Sequence, residues 1–320
     1  MLQPISVLLK AVDGQLPGDL VSTRARKALR RRAARVPSAW FAGCVECRLD
    51  GDSDQNDLLV YATRGAGGQK HLTGVLKGGA GREFGQARAL LAQWAGGRSP
   101  LARELATVWL EYDLPVDGSE PDPFAFICLY PDYLADGYPR HVYGRPISAR
   151  RTRRVAAAGL GAALGFDPDS HALDLVAHCA ACLPANGRMF HVVAMPHRNH
   201  SDLRIGAIVP AVGLRAWLRS VGWPGKKRQV DVLERVLGGS TELLHVQLEL
   251  GDSIRAKLSI DFECLVPPPQ SPRWLQFVER LCKTGCCERD RALAAVSWLR
   301  SRPVRLPGET LPLRMDQQLF

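Results

Sequence analysis

The sequence predicts an α+β fold, an antiparallel β-barrel or strongly curved sheet of repeated ββα units with the helices on the outside. Two observations carry this. Paired strand-like segments joined by turn formers recur four times, each pair followed by helix. Within the strands apolar and polar residues alternate with a period of two, so each strand buries one face only.

The elements follow in order. Residues 18–36 read as a basic helix ended by Pro37. The first strand pair spans 40–49 and 57–64, joined by DGDSDQN, a run dense in turn formers. The segment HLTGVLK at 71–77 reads as an extension or overlap of the second strand, and helix is expected over 82–95, stopped by Gly96-Gly97. The second pair spans 105–114 and 124–130, with helices at 151–164 and 169–183. The third spans 188–195 and 202–209, with helices at 211–221 and 227–237. The fourth spans 243–250 and 254–264, with helices at 272–283 and 288–300. The expected organisation is an N-terminal segment (1–37) with the basic helix, a single repeated domain (38–300), and a proline-rich tail or degenerate fifth unit (301–320).

The strand faces show what each side meets. In 254–264, Arg255, Lys257, Ser259, Asp261 and Glu263 alternate with Ile254, Ala256, Leu258, Ile260 and Phe262. In 243–250, His245, Gln247 and Glu249 share a face opposite Leu244, Val246, Leu248 and Leu250. In 106–114, Thr107, Trp109, Glu111 and Asp113 share one; in 40–49, Trp40, Glu46 and Arg48 do. Helices are expected over the apolar face. The polar face either meets water on an open sheet or lines a cavity inside a closed one.

The four units WFAGCVECRL…DLLVYATR, VWLEYDL…FAFICLY, FHVVAM…LRIGAIV and HVQLEL…AKLSIDFEC resemble, over roughly residues 38–300, the αββα-barrel (ABBA) prenyltransferases. That family has five such units; four are readable here. The resemblance implies transfer of an isoprenoid from its diphosphate to an aromatic or peptide side-chain acceptor. On this reading Arg48, Arg64, Arg204, Arg255 and Lys257 are candidate diphosphate ligands, because a leaving anion needs fixed cations. Trp40, Trp109, Phe126, Tyr130, His191 and His245 are candidates for the prenyl and acceptor pocket, since aromatic faces shield an allylic cation from water. Glu46 is the first candidate for the acid that orients the acceptor and takes its proton, and Glu111 the next. The sequence requires no cofactor and leaves Mg2+ open as a companion of the diphosphate. No DDxxD motif is present. The competing reading of each residue is structural: a cross-strand ion pair for the charged groups, packing for the tryptophans.

Composition sets the remaining bounds. The chain has 320 residues, nine cysteines and a formal charge of +10, much of it from Arg24, Arg26, Lys27, Arg30, Arg31, Arg32 and Arg35. No apolar run is long enough to span a membrane, and the odd number of scattered cysteines suggests thiols, so a cytoplasmic protein is expected. The basic helix reads first as a solvated face, then as a dock for an acidic partner, with nucleic acid third. Asp50, Asp52 and Asp54 miss the calcium-loop pattern, with Gln55 where Gly and Tyr61 where Glu belong. Cys44 and Cys47 fall on opposite faces of a strand. His178, Cys179, Cys182, Cys282, Cys286 and Cys287 lack zinc-site spacing, and His197 and His200 fall in a turn. Two functions outside the transferase class stay open: a non-catalytic protein holding a peptide or partner on the polar face, and nucleic-acid binding through residues 24–35.

Overall fold

The structure is a computed structural model that describes residues 4–38, 40, 42–47, 56–64, 67–114, 119, 121–129, 147–195, 203–237, 243–261, 272–298, 302–304 and 313–315. Eight strands form one sheet: β1 (Ala42–Cys47), β2 (Asn56–Thr63), β3 (Thr107–Leu114), β4 (Phe124–Cys128), β5 (Arg188–Ala194), β6 (Leu203–Pro210), β7 (Leu243–Leu250) and β8 (Ile254–Asp261). Each pairs antiparallel with its sequence neighbour, so the sheet is a meander with β1 and β8 at its edges. It curls into a half-barrel. Beyond it, β9 (Arg302–Val304) and β10 (Leu313–Met315) form a separate hairpin within the proline-rich tail.

Helices fill the connections. α1 (Ile5–Asp13) and α2 (Thr23–Arg35) precede the sheet. α3 (Gly68–Lys77), α4 (Arg88–Ala95) and α5 (Pro100–Glu104) join β2 to β3. α6 (Ala149–Leu164) and α7 (Ser170–Ala181) lie between β4 and β5, and α8 (Leu214–Ser220) and α9 (Lys227–Leu237) between β6 and β7. α10 (Pro272–Lys283) and α11 (Arg289–Trp298) follow β8. Several starts obey local chemistry: the Ser22, Ser99, Ser148 and Asp169 side chains accept from backbone N–H groups of the first turns of α2, α5, α6 and α7. α6 ends at Gly165, whose φ of +78° suits a residue without a Cβ.

One apolar core lies between the helices and one face of the sheet. Leu58, Val60, Ala62, Val108, Leu110, Ile127, Val192, Ile205, Val246 and Leu248 point into it, and so do Ile5, Leu9 and Leu29 of the first two helices. The N-terminal segment therefore shares the core of the repeated units. The alternation of apolar residues foretold this face, and its burial supplies the main drive to fold. Trp94 anchors one corner: it is fully buried, and its indole Nε1 donates to the Leu105 carbonyl at 2.8 Å.

Three expectations need correction. Residues 71–77 are not strand but the body of α3, whose Leu72 is fully buried. The helix is held by Gln69 Nε2, which donates to the Trp94 carbonyl at 3.0 Å, and by Thr73 Oγ1, which donates to the Ala95 carbonyl at 3.1 Å. Trp40 precedes β1, where strand alternation no longer applies. It packs into the helix-side core, edge-on to Phe84 with ring centroids 5.9 Å apart. The expected basic helix is α2, which starts at Thr23 rather than near 18; Arg24, Lys27, Arg30, Arg31 and Arg35 are exposed as a solvated basic face would be, and several of its arginines also bind the protein itself. Arg26 donates to the Asp13, Leu16 and Val21 carbonyls, Arg30 pairs with Asp13, and Arg35 pairs with Glu83. Arg32 is buried, its guanidinium 4.9 Å from the Tyr112 ring centroid.

α6 crosses close over β4 because Gly159 has no side chain: a Cβ there would stand 2.5 Å from Ile127 Cγ1. Gly159→Ala is expected to overpack this contact and lower stability by about 1–3 kcal/mol, despite alanine's better helix propensity. Urea unfolding followed by far-UV circular dichroism measures it; a neutral or stabilising result would show that α6 can lift off the sheet without loss.

Candidate functional site on the concave face

The second face of the sheet is concave. Neighbouring strands stand about 4.8 Å apart, so residues two strands apart on a flat sheet start about 9.6 Å apart. Here Trp109 on β3 meets Phe190 on β5 with ring centroids 5.4 Å apart, and His191 on β5 meets His245 on β7 at 5.1 Å. Such convergence is in keeping with a sheet that curls toward these side chains.

Register lays one ladder across this face. Tyr61 stands opposite Trp109, Trp109 opposite Phe126, Phe126 opposite Val193, Val193 opposite Arg204, and Arg204 opposite Glu249. Trp109 is the hub of the aromatic part, edge-on to Tyr61 at 4.9 Å and tilted against Phe126 at 6.0 Å. Phe190 joins it through a register shift between Met189 and His191: the bulge turns two consecutive residues, Phe190 and His191, toward the same cluster. Strict alternation would have separated them, which is why Phe190 escaped the sequence reading.

Carboxylates occupy the β1–β3 end. Glu46 stands opposite Asp57, and Asp57 opposite Asp113. One carboxylate oxygen from each of Asp57, Glu111 and Asp113 lies within 4.8 Å of the other two, and Asp57 and Glu111 are buried. Like charges this close favour a shared proton or a cation, and an all-oxygen donor set suits a hard ion such as Mg2+. Beside them Cys44 hydrogen-bonds the Tyr61 side chain; burial, then the Glu46 carboxylate, pushes its thiol far above the ordinary range.

Charge of the other sign gathers at the β6–β8 end. Glu249 sits between Arg204, 3.7 Å away, and Lys257, 2.7 Å away. Arg204 and Glu249 are largely buried, while the Lys257 side chain is 62% exposed at the rim.

The histidines lie in the middle. His191 is 1% exposed, and neither ring nitrogen has a hydrogen-bond partner among the described residues. Burial, His245 and Arg204 all hold its pKa well below the ordinary imidazole value, so the ring is neutral. His245 stands on the other side of β6, edge-on to His191 at 87°. Between them is Gly206: a Cβ on it would meet His245 Nε2 at 2.5 Å and His191 Nε2 at 2.6 Å.

Of the residues singled out from sequence, the structure brings Glu46, Glu111, Trp109, Phe126, His191, His245 and Arg204 together on the concave face, with Lys257 at its rim. Arg255 is exposed on β8. Arg64 turns to the helix layer instead, donating to the Ala102 and Arg103 carbonyls near the end of α5. Arg48 and Tyr130 lie outside the described residues, as do the Asp50–Asp54 turn and the segment with His197 and His200. Asp57, Tyr61 and Asp113 belong to the site; alternation in 57–63 and 107–113 was the signal that marks them. Among the described residues the one group of three or more potential metal ligands is Asp57, Glu111 and Asp113, so the His/Cys positions singled out from sequence form no zinc cluster. Cys179 is buried in the core, while Cys282 and Cys287 stand 3.4 Å apart, sulfur to sulfur.

No protein-family model, no curated protein and no solved structure matches the chain. No helix among the described residues is long and apolar enough to cross a membrane.

Proposed function

We propose that the concave face is the active site of a transferase of the αββα-barrel kind, moving an isoprenoid from its diphosphate to an aromatic or peptide side-chain acceptor. The carrying observation is the cross-strand ladder: aromatic rings from β2 to β5 stand between carboxylates at one end and Arg204 with Lys257 at the other. That is the order of groups the chemistry needs. The allylic carbon–oxygen bond breaks, and the diphosphate leaves toward the cations. The allylic cation is held against the faces of Trp109, Phe126 and Phe190, away from water. A new bond forms to the acceptor, and the acceptor's proton passes to Glu111 or Glu46.

The test is incubation with dimethylallyl or geranyl diphosphate and indole-type or peptide acceptors, with product detected by mass. Transfer is expected, and Glu111→Gln is expected to lower turnover about 10²–10⁴-fold, as the loss of a general base does. Arg64→Ala should leave it unchanged, because that side chain serves α5. Absence of product with every acceptor, or full activity in both Glu111→Gln and Glu46→Gln, would end the proposal.

A second reading, a non-catalytic protein that holds a peptide or partner, is favoured by one observation. Glu249 already pairs with both Arg204 and Lys257 and offsets part of their charge, which leaves those cations less to offer a diphosphate. This reading expects a stable complex and no product. The basic helix supports nucleic-acid binding poorly, because Arg26, Arg30, Arg32 and Arg35 are engaged within the protein.

A further inference from the structure

We propose that His191 and His245, brought together over Gly206, form a binding site for a borderline transition-metal cation of the Zn2+ or Co2+ class. Three observations carry it, independently of the transferase reading. First, both Nε2 atoms lie within 2.6 Å of a single point, the position a Cβ on Gly206 would take. They are thus at most about 5.1 Å apart, and a metal binding each at about 2.0–2.1 Å needs them about 3.3–4.2 Å apart. A small rotation of either ring closes the difference, and Gly206 leaves the space for the ion. Second, His191 is buried to 1% with both nitrogens lacking a partner among the described residues. An unsatisfied buried donor or acceptor is unfavourable, and ligation of one nitrogen removes part of that penalty. Third, the surroundings suit nitrogen ligation. Phe126 and Phe190 pack edge-on to the two imidazoles, with centroids 4.9 Å and 4.7 Å away, and offer no polar group that competes for the ring nitrogens.

The electrostatics are compatible. A metal ligand must be deprotonated, and burial keeps His191 neutral at physiological pH. Arg204 is the nearby cation, and its pairing with Glu249 offsets its charge. Two imidazoles supply two of the four ligands a tetrahedral ion takes and leave the other positions to water or a further ligand.

The experiment uses the full chain with Cys282, Cys286 and Cys287 changed to Ser, so that thiolates do not compete. Chelator-stripped protein is titrated with CoCl2 and with ZnCl2, and the zinc-loaded sample is examined by X-ray absorption. The expected result is one equivalent bound, with two imidazole nitrogens at about 2.0 Å from the metal. His191→Ala and His245→Ala should weaken binding by more than the roughly 10–100-fold that changes outside the ligand shell produce. Gly206→Ala should do the same without removing a ligand, and circular dichroism checks that it folds. Failure to bind an equivalent, an absorption spectrum without imidazole scatterers, or undiminished uptake by Gly206→Ala and His191→Ala would each overturn the site. The absorption measurement needs no histidine variant, so the result stands even if those variants unfold. Zinc binding without prenyl transfer would sink the proposed activity and leave the metal site intact.

Discussion

Trp109→Ala is expected to lower stability by about 3 kcal/mol and to abolish ligand binding on the concave face. The stability loss has a plain origin. The indole touches Tyr61, Phe126, Phe190 and His191, rings contributed by β2, β4 and β5, and it is the hub through which those rings meet across β3. Truncating a packed tryptophan costs about 3–5 kcal/mol; Trp109 is half-buried, which places it at the lower end. Against a net stability of roughly 5–15 kcal/mol the variant stays folded but weakened. Trp40→Ala is the matched control. Trp40 is 1% exposed and packs on Phe84 in the helix-side core, so it should lose about 3–5 kcal/mol while sparing the concave face. Urea unfolding reads the first quantity and calorimetric titration with a diphosphate or aromatic ligand the second. Equal effects of the two variants on binding would show that Trp109 is packing alone, and a loss below about 1 kcal/mol would show that the rings hold together without it.

Trp94→Ala is expected to be at least as damaging, although the residue lies on the far side of the sheet from the site. Trp94 is fully buried, and its Nε1 donates to the Leu105 carbonyl, two residues before β3 begins. Removing the ring costs about 3–5 kcal/mol, and stranding a buried carbonyl adds about 1–3 kcal/mol. Trp94→Phe separates the two contributions, since it keeps most of the ring and loses the hydrogen bond. β3 carries Trp109, Glu111 and Asp113, so a loosened start of this strand should also blur the carboxylate and aromatic groups. Hydrogen exchange of the β3 amides provides the check: acceleration is expected across Thr107–Leu114, and protection equal to that of the unmodified chain would refute the anchoring role.

Much of this architecture was legible in the sequence because hairpins leave two local marks. Turn formers separate the strands, and one-sided burial writes a period of two into each. Leu244, Val246, Leu248 and Leu250 were assigned to the core from alternation alone, and they are fully buried. Glu46, Trp109, Glu111 and His245 were assigned to the opposite face for the same reason and lie there. Alternation fails where the backbone leaves ideal geometry. Trp40 was counted on the polar face because it was read as strand, yet the strand begins at Ala42. Phe190 was missed because a bulge shifts the count by one. Residues 71–77 looked extended for their mix of β-branched and apolar residues, but tertiary hydrogen bonds from Gln69 and Thr73 hold them as helix. The arginines of α2 looked like surface charge and Arg64 like a diphosphate ligand, and only folding revealed the carbonyls and carboxylates they reach.

By itself, then, the sequence determined the eight strands of the sheet, their pairing as hairpins, and which side of most strands meets the helices, because those properties depend on neighbours a few residues away. Tertiary structure alone decided how far the sheet bends and which distant side chains that bending gathers. His191 and His245 are 54 positions apart, on strands separated by a third, and nothing local announces that they meet. Their meeting follows from curvature summed over many strand pairs and from Gly206, whose missing side chain leaves room for both rings.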